Sequence, residues 1–207
     1  DNVNKDNPIA YRLNNLDVSM TNICSEITLF TDEEHSFICC LSSLNLAKYD
    51  EWKDTDTVEL STWFLDGVMQ EFIDKSNGKE SLKRTHKHAR KGRALGLGVM
   101  GWHSFLKQKG LPFNSIASTA HTKNIFSDIR GKAEKASMDL AAEYGEPLWC
   151  KGTGMRNTHL LAIAPTVSNS VIVGGISAGI EPLPATFILL MVLKEHLLEK
   201  INHYKKY

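Results

Sequence analysis

The chain has 207 residues, of which 42% are hydrophobic and 23% are charged, as in an ordinary folded protein in water. Lysine plus arginine equals aspartate plus glutamate, at 24 each, so no net charge draws the whole molecule to nucleic acid or to an anionic membrane. The longest apolar run, residues 187–193, is much shorter than the ~20 residues of a membrane-spanning helix, and no signal peptide opens the chain. We therefore expect a cytoplasmic protein without a membrane partner or a direct nucleic-acid partner.

The first motif that can carry chemistry is TNICSEI, in which Asn22, Cys24 and Glu26 are spaced two residues apart. In an extended segment these side chains project to one side, while Ile23 and Ile27 anchor the other. A neighbouring carboxylate raises the pKa of a thiol, which disfavours a thiolate nucleophile but suits hydrogen-atom transfer assisted by a general base. The alternative is a half-buried strand with a cysteine that only packs.

A second cysteine motif lies in the short apolar run 37–41, which has the length of a strand. Adjacent side chains of a strand point to opposite faces, so Cys39 and Cys40 cannot pair and at most one shares a site with Cys24. We expect one to be functional and the other structural. Together with Cys150 they show no C-x-x-C spacing, which predicts reduced thiols and no metal site.

Helix and strand patterns alternate along the rest of the chain, which predicts an α/β fold. A capping-box pattern at Asp56 and Glu59 opens a helix that ends at residues 77–78. Its apolar stripe is Val58, Leu60, Phe64, Val68 and Phe72. A second helix is predicted over 119–144, ended by Gly145, then a buried strand over 159–164 and a helix over 187–204.

Residues 83–93 are strongly basic and contain His86 and His88. Because no aromatic residues are interleaved, the stretch is more typical of a solvated helix face, or of a contact with an anionic partner, than of a nucleic-acid groove. The two histidines have the spacing His-x-His, but in so charged a stretch we expect them to be solvated rather than to bind metal.

Residues 96–101 match the dinucleotide pattern G-x-G-x-x-G. The residues before them are basic and cannot form the buried strand that the pattern requires, so a nicotinamide site is the weaker interpretation. The preferred one is that the glycines let a helix over 99–109 start tightly and pack closely against a neighbour.

The stretch 165–170 follows the predicted strand 159–164. It offers the hydroxyl groups of Thr166, Ser168 and Ser170 and the amide of Asn169. At the carboxyl end of a strand, with a helix beginning there, such groups can bind a phosphate. A plain polar turn is the alternative.

Six of these stretches occur in the order found in the large subunits of class I ribonucleotide reductases, and the chain resembles the compact phage or bacterial members of that family. They are 21–27, 39–46, 93–101, 156–157, 165–170 and 179–182. The resemblance covers residues 1–185 and becomes poor over 186–207. It implies part of a ten-stranded α/β barrel, in which a finger loop presents a radical cysteine.

The resemblance also implies a role for each matched residue. Cys24 matches the radical cysteine, Glu26 the base that deprotonates the ribose 3′-hydroxyl, and Asn22 the amide that holds the ribose hydroxyls. Cys39 matches one thiol of the reducing pair, which protonates the departing 2′-hydroxyl and supplies electrons. The substrate diphosphate would bind to Thr166, Ser168, Asn169 and Ser170.

Several parts of the family pattern are not matched. The second reducing cysteine, the effector site and the ATP-cone would precede Asp1, and neither Tyr204 nor Tyr207 sits in the pattern of the radical relay. We therefore expect a fragment that is inactive alone. It would need the rest of a homodimeric large subunit, a metal-containing small subunit that supplies the radical, and thioredoxin or glutaredoxin as reductant. The alternatives are a non-catalytic fragment that binds nucleotide or completes another chain's fold and, less favoured, an NAD-dependent dehydrogenase.

Overall fold

The computed structural model describes residues 2–183, so the predicted helix over 187–204 and the stretch 186–207 lie outside the described residues. The helices and strands follow one another in this order: α1 (Asn2–Lys5), α2 (Ile9–Leu13), β1 (Cys40–Asn45), α3 (Tyr49–Trp52), α4 (Thr57–Ser76), α5 (Lys83–Gly92), β2 (Leu95–Met100), α6 (Trp102–Gln108), α7 (Ile116–Tyr144) and α8 (Val167–Ile172). None of the helices within the described range is long and apolar enough to cross a membrane.

The sheet is parallel, as expected when helices connect consecutive strands. Strand β1 pairs with β2 from Cys40 opposite Leu95 to Asn45 opposite Met100. The chain returns a third time alongside β2, where Leu161 forms a parallel bridge with Leu97 and the Leu97 N–H donates to the Leu160 carbonyl at 2.8 Å. The predicted strand over 159–164 is thus reduced to this short pairing, and the strand predicted over 37–41 begins later, at β1.

Helices α4 and α7 cover one face of the sheet and enclose the main core. The buried members of this core include Leu44, Leu65, Met69, Leu95, Leu97, Val99, Phe105, Ile125 and Ile129. Helix α7 is the predicted second helix, and Gly145 ends it with a φ of 81° that favours glycine. At its start the Ser118 N–H donates to the Ser115 side chain at 3.1 Å, which caps the first turn.

Helix α4 has the predicted position, and Val58 and Phe72 of the predicted stripe pack in the core, but the three residues between them do not face the sheet. Leu60, Phe64 and Val68 are 58%, 68% and 40% exposed. The buried positions are Val58, Thr62, Leu65, Asp66, Met69, Ile73 and Ser76. Asp56 is the residue before the helix, yet its side chain accepts no capping hydrogen bond. The prediction of the buried face was wrong because α4 has two faces with apolar side chains.

The G-x-G-x-x-G motif forms β2 itself and does not follow a strand, which is incompatible with a dinucleotide fingerprint. A Cβ atom at Gly96 would overlap the Leu41 side chain, and one at Gly98 would overlap the Ala162 carbonyl. These glycines therefore let the third segment lie close to β2. The helix predicted from residue 99 begins at Trp102, after Gly101 turns the chain with a φ of 82°.

Candidate active site

Cys24 lies on a tight turn that is closed by hydrogen bonds of Asn22. The Ile27 N–H donates to the Asn22 Oδ1 atom at 3.0 Å, and the Ser25 N–H donates to the Asn22 carbonyl at 3.0 Å. Ser25 has a φ of 64°, so the segment is not the extended strand that was predicted. Ile23 is 99% exposed and anchors nothing, whereas Ile27 is buried. The turn leaves the Cys24 thiol exposed.

Glu26, two residues after Cys24, is near enough to Cys39 for its charge to act on the Cys39 thiol. The Glu26 Oε2 atom is buried and has no hydrogen-bond partner among the described residues. Burial, together with the smaller electrostatic effects of Cys40 and Glu26, raises the pKa of Cys39 to about 12. The Cys39 thiol is therefore neutral at physiological pH.

Cys39 and Cys40 lie on opposite faces of the sheet, as the sequence predicted. Cys39 packs with a small cluster that includes Tyr11 and Ala162. Cys40 packs against the helix-covered core, where burial and the Asp66 charge raise the pKa of its thiol. Both thiols, like those of Cys24 and Cys150, are free. Only Cys39 shares a face of the sheet with Glu26.

The four residues matched to the diphosphate loop divide into two pairs. Thr166 and Ser170 are buried: the Thr166 hydroxyl accepts the Gly179 N–H at 2.9 Å, and the Ser170 hydroxyl donates to the Val167 carbonyl at 2.8 Å. Ser168 and Asn169 are exposed. Helix α8 begins directly after Thr166, which is the helix start that the sequence analysis required.

This loop lies beyond the carboxyl end of β2. The Gly101 N–H donates to the Ser177 carbonyl at 2.8 Å, and the Trp102 N–H donates to the Gly179 carbonyl at 3.3 Å. The Thr166 hydroxyl then joins α8 to Gly179. Ligands of α/β proteins commonly bind at this end of parallel strands, and the loop lies at that end.

A buried polar network around Asp66 of α4 was not predicted from the sequence. The Arg93 Nε and Nη2 atoms donate to the two Asp66 carboxylate oxygens, each at 2.8 Å. The Arg156 Nε atom and the Asn157 amide add contacts at 3.0 and 2.8 Å. The pKa of Asp66 stays below its ordinary value although burial alone would raise it. Arg93 and residues 156–157 were matched to the family without a role, and this network supplies one.

The basic stretch is helix α5, and its anionic partner is another part of the same chain. Lys87 pairs with Glu34, and the Lys91 amine contacts the His35 ring at 2.7 Å. The expectation that both histidines are solvated was wrong for His88, which is fully buried and packs edge-on against Trp149 at 5.1 Å. Burial lowers its pKa to about 3. Among residues 2–183 no group of three potential ligands is arranged to hold a metal ion.

Comparisons with known proteins agree with this geometry. Residues 1–153 match the family model of the ribonucleotide reductase barrel domain. A putative ribonucleoside-diphosphate reductase large subunit of Frog virus 3 is 38% identical over 199 residues, covering 95% of this chain and 35% of that protein. The large subunit of Invertebrate iridescent virus 3 is 39% identical, covering 82% of this chain and 27% of that protein.

A solved structure of a ribonucleotide reductase subunit also has the fold of this chain. The alpha subunit of the Actinobacillus ureae class Id ribonucleotide reductase superposes with a TM-score of 0.87 at 42% sequence identity. The match covers 97% of this chain and 41% of that subunit. The chain therefore spans less than half the length of each of these relatives.

Proposed function

This chain belongs to the ribonucleotide reductase family, and we propose that it forms the part of a ribonucleoside-diphosphate reductase large subunit that performs the radical chemistry. The reaction is reduction of the ribose 2′-hydroxyl of a ribonucleoside diphosphate. The observation that supports this most strongly is that the unpartnered Glu26 carboxylate acts electrostatically on the neutral Cys39 thiol, next in the chain to the turn that exposes Cys24. A base, a neutral thiol and an accessible thiol are the groups that the reaction needs.

In this proposal Cys24 begins the reaction as a thiyl radical and takes a hydrogen atom from the ribose. A thiol S–H and a sugar C–H bond have comparable strengths, so the transfer is reversible and the thiyl radical can be restored at the end. Glu26 accepts the proton of the 3′-hydroxyl through its unpartnered oxygen. The Asn22 oxygen closes the turn, which leaves its amide nitrogen to donate to a ribose hydroxyl.

Cys39 acts as the proton donor and reductant. Its raised pKa keeps the thiol protonated, so it can give a proton to the departing 2′-hydroxyl, which leaves as water. Cys39 then forms a disulfide with a second thiol from the rest of the large subunit, and this supplies the two electrons. An external thiol reductant such as thioredoxin or glutaredoxin reduces the disulfide again.

The two pairs of residues in the diphosphate loop would have different roles. Ser168 and Asn169 are exposed in the first turn of α8 and would contact the phosphates directly, with help from the N–H groups of that turn. Thr166 and Ser170 would position the loop, because their hydroxyls are engaged within the protein. This refines the prediction from sequence, which gave all four side chains the same role.

The remaining partners follow from the family and stay proposals for this chain. A metal-containing small subunit would supply the radical, and the other parts of a homodimeric large subunit would supply the second reducing thiol and complete the barrel. A cytoplasmic location belongs to the same proposal. We expect the 207-residue chain alone to produce no deoxynucleotide even with a competent radical subunit.

The test uses a chimera in which this chain replaces the matched segment of the Actinobacillus ureae alpha subunit, assayed with that enzyme's own radical subunit. Cys24→Ser should abolish deoxynucleotide formation, because a serine O–H bond is too strong to exchange hydrogen with a carbon radical. The matched control is Cys40→Ser, on the other face of the sheet, which should remain active.

Turnover by the Cys24→Ser chimera would reject the radical role. An inactive parent chimera that still binds ribonucleoside diphosphate would instead favour a nucleotide-binding fragment without catalysis.

A further inference from the structure

The outer face of helix α4 is the largest feature that the proposed chemistry leaves unexplained. Its exposed apolar side chains are Leu60, Trp63, Phe64 and Val68, at 58%, 37%, 68% and 40% exposure. Spacings of three and four residues place them on one side of the helix, opposite the buried face that packs on the sheet. They form one continuous stripe, which we call the α4 outer stripe.

The stripe is not a general property of the helices that cover the sheet. Helix α7 lies beside α4 in the same layer, and its outer positions are polar, as at Lys123, Ser127 and Lys135. The exposed large apolar side chains of α7, Ile116, Met138 and Tyr144, stand far apart. Contiguous exposed apolar surface generally marks an interaction site, whereas scattered residues need no explanation.

A glycine lies in the middle of the stripe. Gly67 is exposed within α4, and an added Cβ atom would meet nothing within 4 Å. Glycine is unfavourable inside a helix. Here it leaves a shallow notch between Trp63 and Phe64 on one side and Val68 on the other. Such a notch allows the backbone or a side chain of another helix to approach α4 closely.

The size of the stripe indicates where its partner comes from. From Leu60 to Val68 it covers about 12 Å of helix, at 1.5 Å per residue. A separate protein, or a second copy of this chain, needs roughly 800 Å² on each side for a stable interface. A segment of the same polypeptide needs far less, because its effective concentration is already high. This chain corresponds to 35% of the Frog virus 3 large subunit and 41% of the Actinobacillus ureae subunit, so such segments exist in its relatives.

We propose that the α4 outer stripe is an intramolecular docking surface, covered by an apolar helix from the part of the large subunit that lies outside this chain. The contact would fasten that part to the outside of the barrel, behind the helix layer and away from Cys24 and Cys39. It rests on membership of the family and not on the proposed chemistry, so an inactive chimera can still confirm or reject it.

The experiment measures how fast a maleimide labels a cysteine placed on the stripe. Phe64→Cys is introduced into the 207-residue chain and into the Actinobacillus ureae chimera, and peptide mass spectrometry separates its labelling from that of Cys24. The matched control is Ser127→Cys, on the polar outer face of α7. Cys150 is fully buried and reports whether the isolated chain is folded, since it should stay unlabelled.

We expect Phe64→Cys to react at least about tenfold more slowly in the chimera than in the isolated chain, because the docked segment must open before the reagent can enter. Ser127→Cys should react at the same rate in both. Equal labelling rates of Phe64→Cys in the isolated chain and in the chimera would overturn the proposal. Equal protection of Phe64→Cys and Ser127→Cys in the chimera would also overturn it, because it would show general shielding. Protection in the isolated chain that grows with its concentration would identify a second copy as the occupant and would also overturn it.

A second measurement does not depend on the folding of the chimera. In the intact Actinobacillus ureae subunit, a cysteine at the position aligned with Phe64 should be slow to react, and one aligned with Ser127 should be fast. A fast reaction at the first position would contradict docking on this face.

Discussion

The two faces of the sheet are built in different ways. On the helix-covered face, Asp66 is buried but contacts Arg93, Arg156 and Asn157 within 3.0 Å, so its charge is fully compensated. On the other face, Glu26 has a buried carboxylate oxygen with no partner among the described residues, and Cys24 is exposed on a turn. Two carboxylates in one small protein thus have opposite environments.

Under the proposed function, this difference separates the face that holds the fold from the face that carries the chemistry. A buried charge is tolerated when it is paired and hydrogen-bonded, and then it fixes the elements that supply its partners. The Asp66 network joins α4, the end of α5 and the chain segment after α7. An unpartnered oxygen stabilises nothing, but it can accept a proton from a ligand. Substitutions on the two faces should therefore separate stability from activity.

The largest effect is expected from breaking the Asp66 network. Arg93→Met should lower the free energy of unfolding by about 3–5 kcal/mol, because it leaves a buried carboxylate without its main partner. Urea denaturation of the chimera measures this. Lys135→Met is the control, since Lys135 pairs with Asp139 at an exposed site and such pairs contribute about 0–1 kcal/mol. A change at Arg93 as small as that of the control would mean that the network does not hold the fold.

On the other face, Glu26→Gln should lower the activity without lowering the stability. Deoxynucleotide formation by the chimera should fall by about 10²–10⁴-fold, as for the loss of a general base, while the urea midpoint stays the same or rises. The midpoint should not fall because the substitution removes a charge whose Oε2 atom has no partner. A rate within a few-fold of the parent would show that Glu26 is structural and would remove the contrast between the faces.

A smaller effect is expected in the pH dependence of stability. It comes from the buried imidazole of His88, which has no hydrogen-bond partner among the described residues. His88 has a folded pKa of about 3, against an ordinary value of 6.5, so below about pH 6.5 the unfolded chain takes up a proton that the folded chain does not. The stability that depends on a neutral His88 is fully present above about pH 6.5 and is lost as the pH falls toward 3. The unfolding free energy should drop by about 2 kcal/mol between pH 7 and pH 5 on account of His88.

The matched variant for this experiment is His88→Phe. Neither ring nitrogen of His88 has a hydrogen-bond partner within residues 2–183, so a phenyl ring of similar shape loses no hydrogen bond there. The variant should therefore be less sensitive to acid. His159, whose pKa burial lowers to about 4, should still cause part of the loss. A parent and a variant with the same pH profile would contradict the assignment to His88.

The smallest change in stability is expected at the adjacent free cysteines Cys39 and Cys40, which lie on the two opposite faces. Cys40→Ala should cost about 1–2 kcal/mol through lost packing and should leave multiple turnover intact. Cys39→Ala should block multiple turnover with a similar or smaller loss of stability. These are measured by product per enzyme over time and by urea unfolding. The opposite assignment of the two phenotypes would mean that Cys40 is the reducing thiol.

The sequence by itself predicted the features that depend on local periodicity and chemistry. Alternation along a strand was enough to place Cys39 and Cys40 on opposite faces, and glycine at position 145 was enough to end α7. The roles assigned to the motif around Cys24 stay predictions, and its predicted extended form was wrong because the segment is a turn.

Tertiary structure alone decided which face of α4 is buried, where His88 lies and what Arg93 does. Periodicity tells which residues share a face, but α4 has two faces with apolar residues, and only the position of the sheet selects between them. Asp66 is tolerated on the buried face because Arg93 and Arg156 reach it from 27 and 90 residues away in the chain. Such partners cannot be read from local sequence, because the free energy of a buried charge depends on what the fold brings next to it.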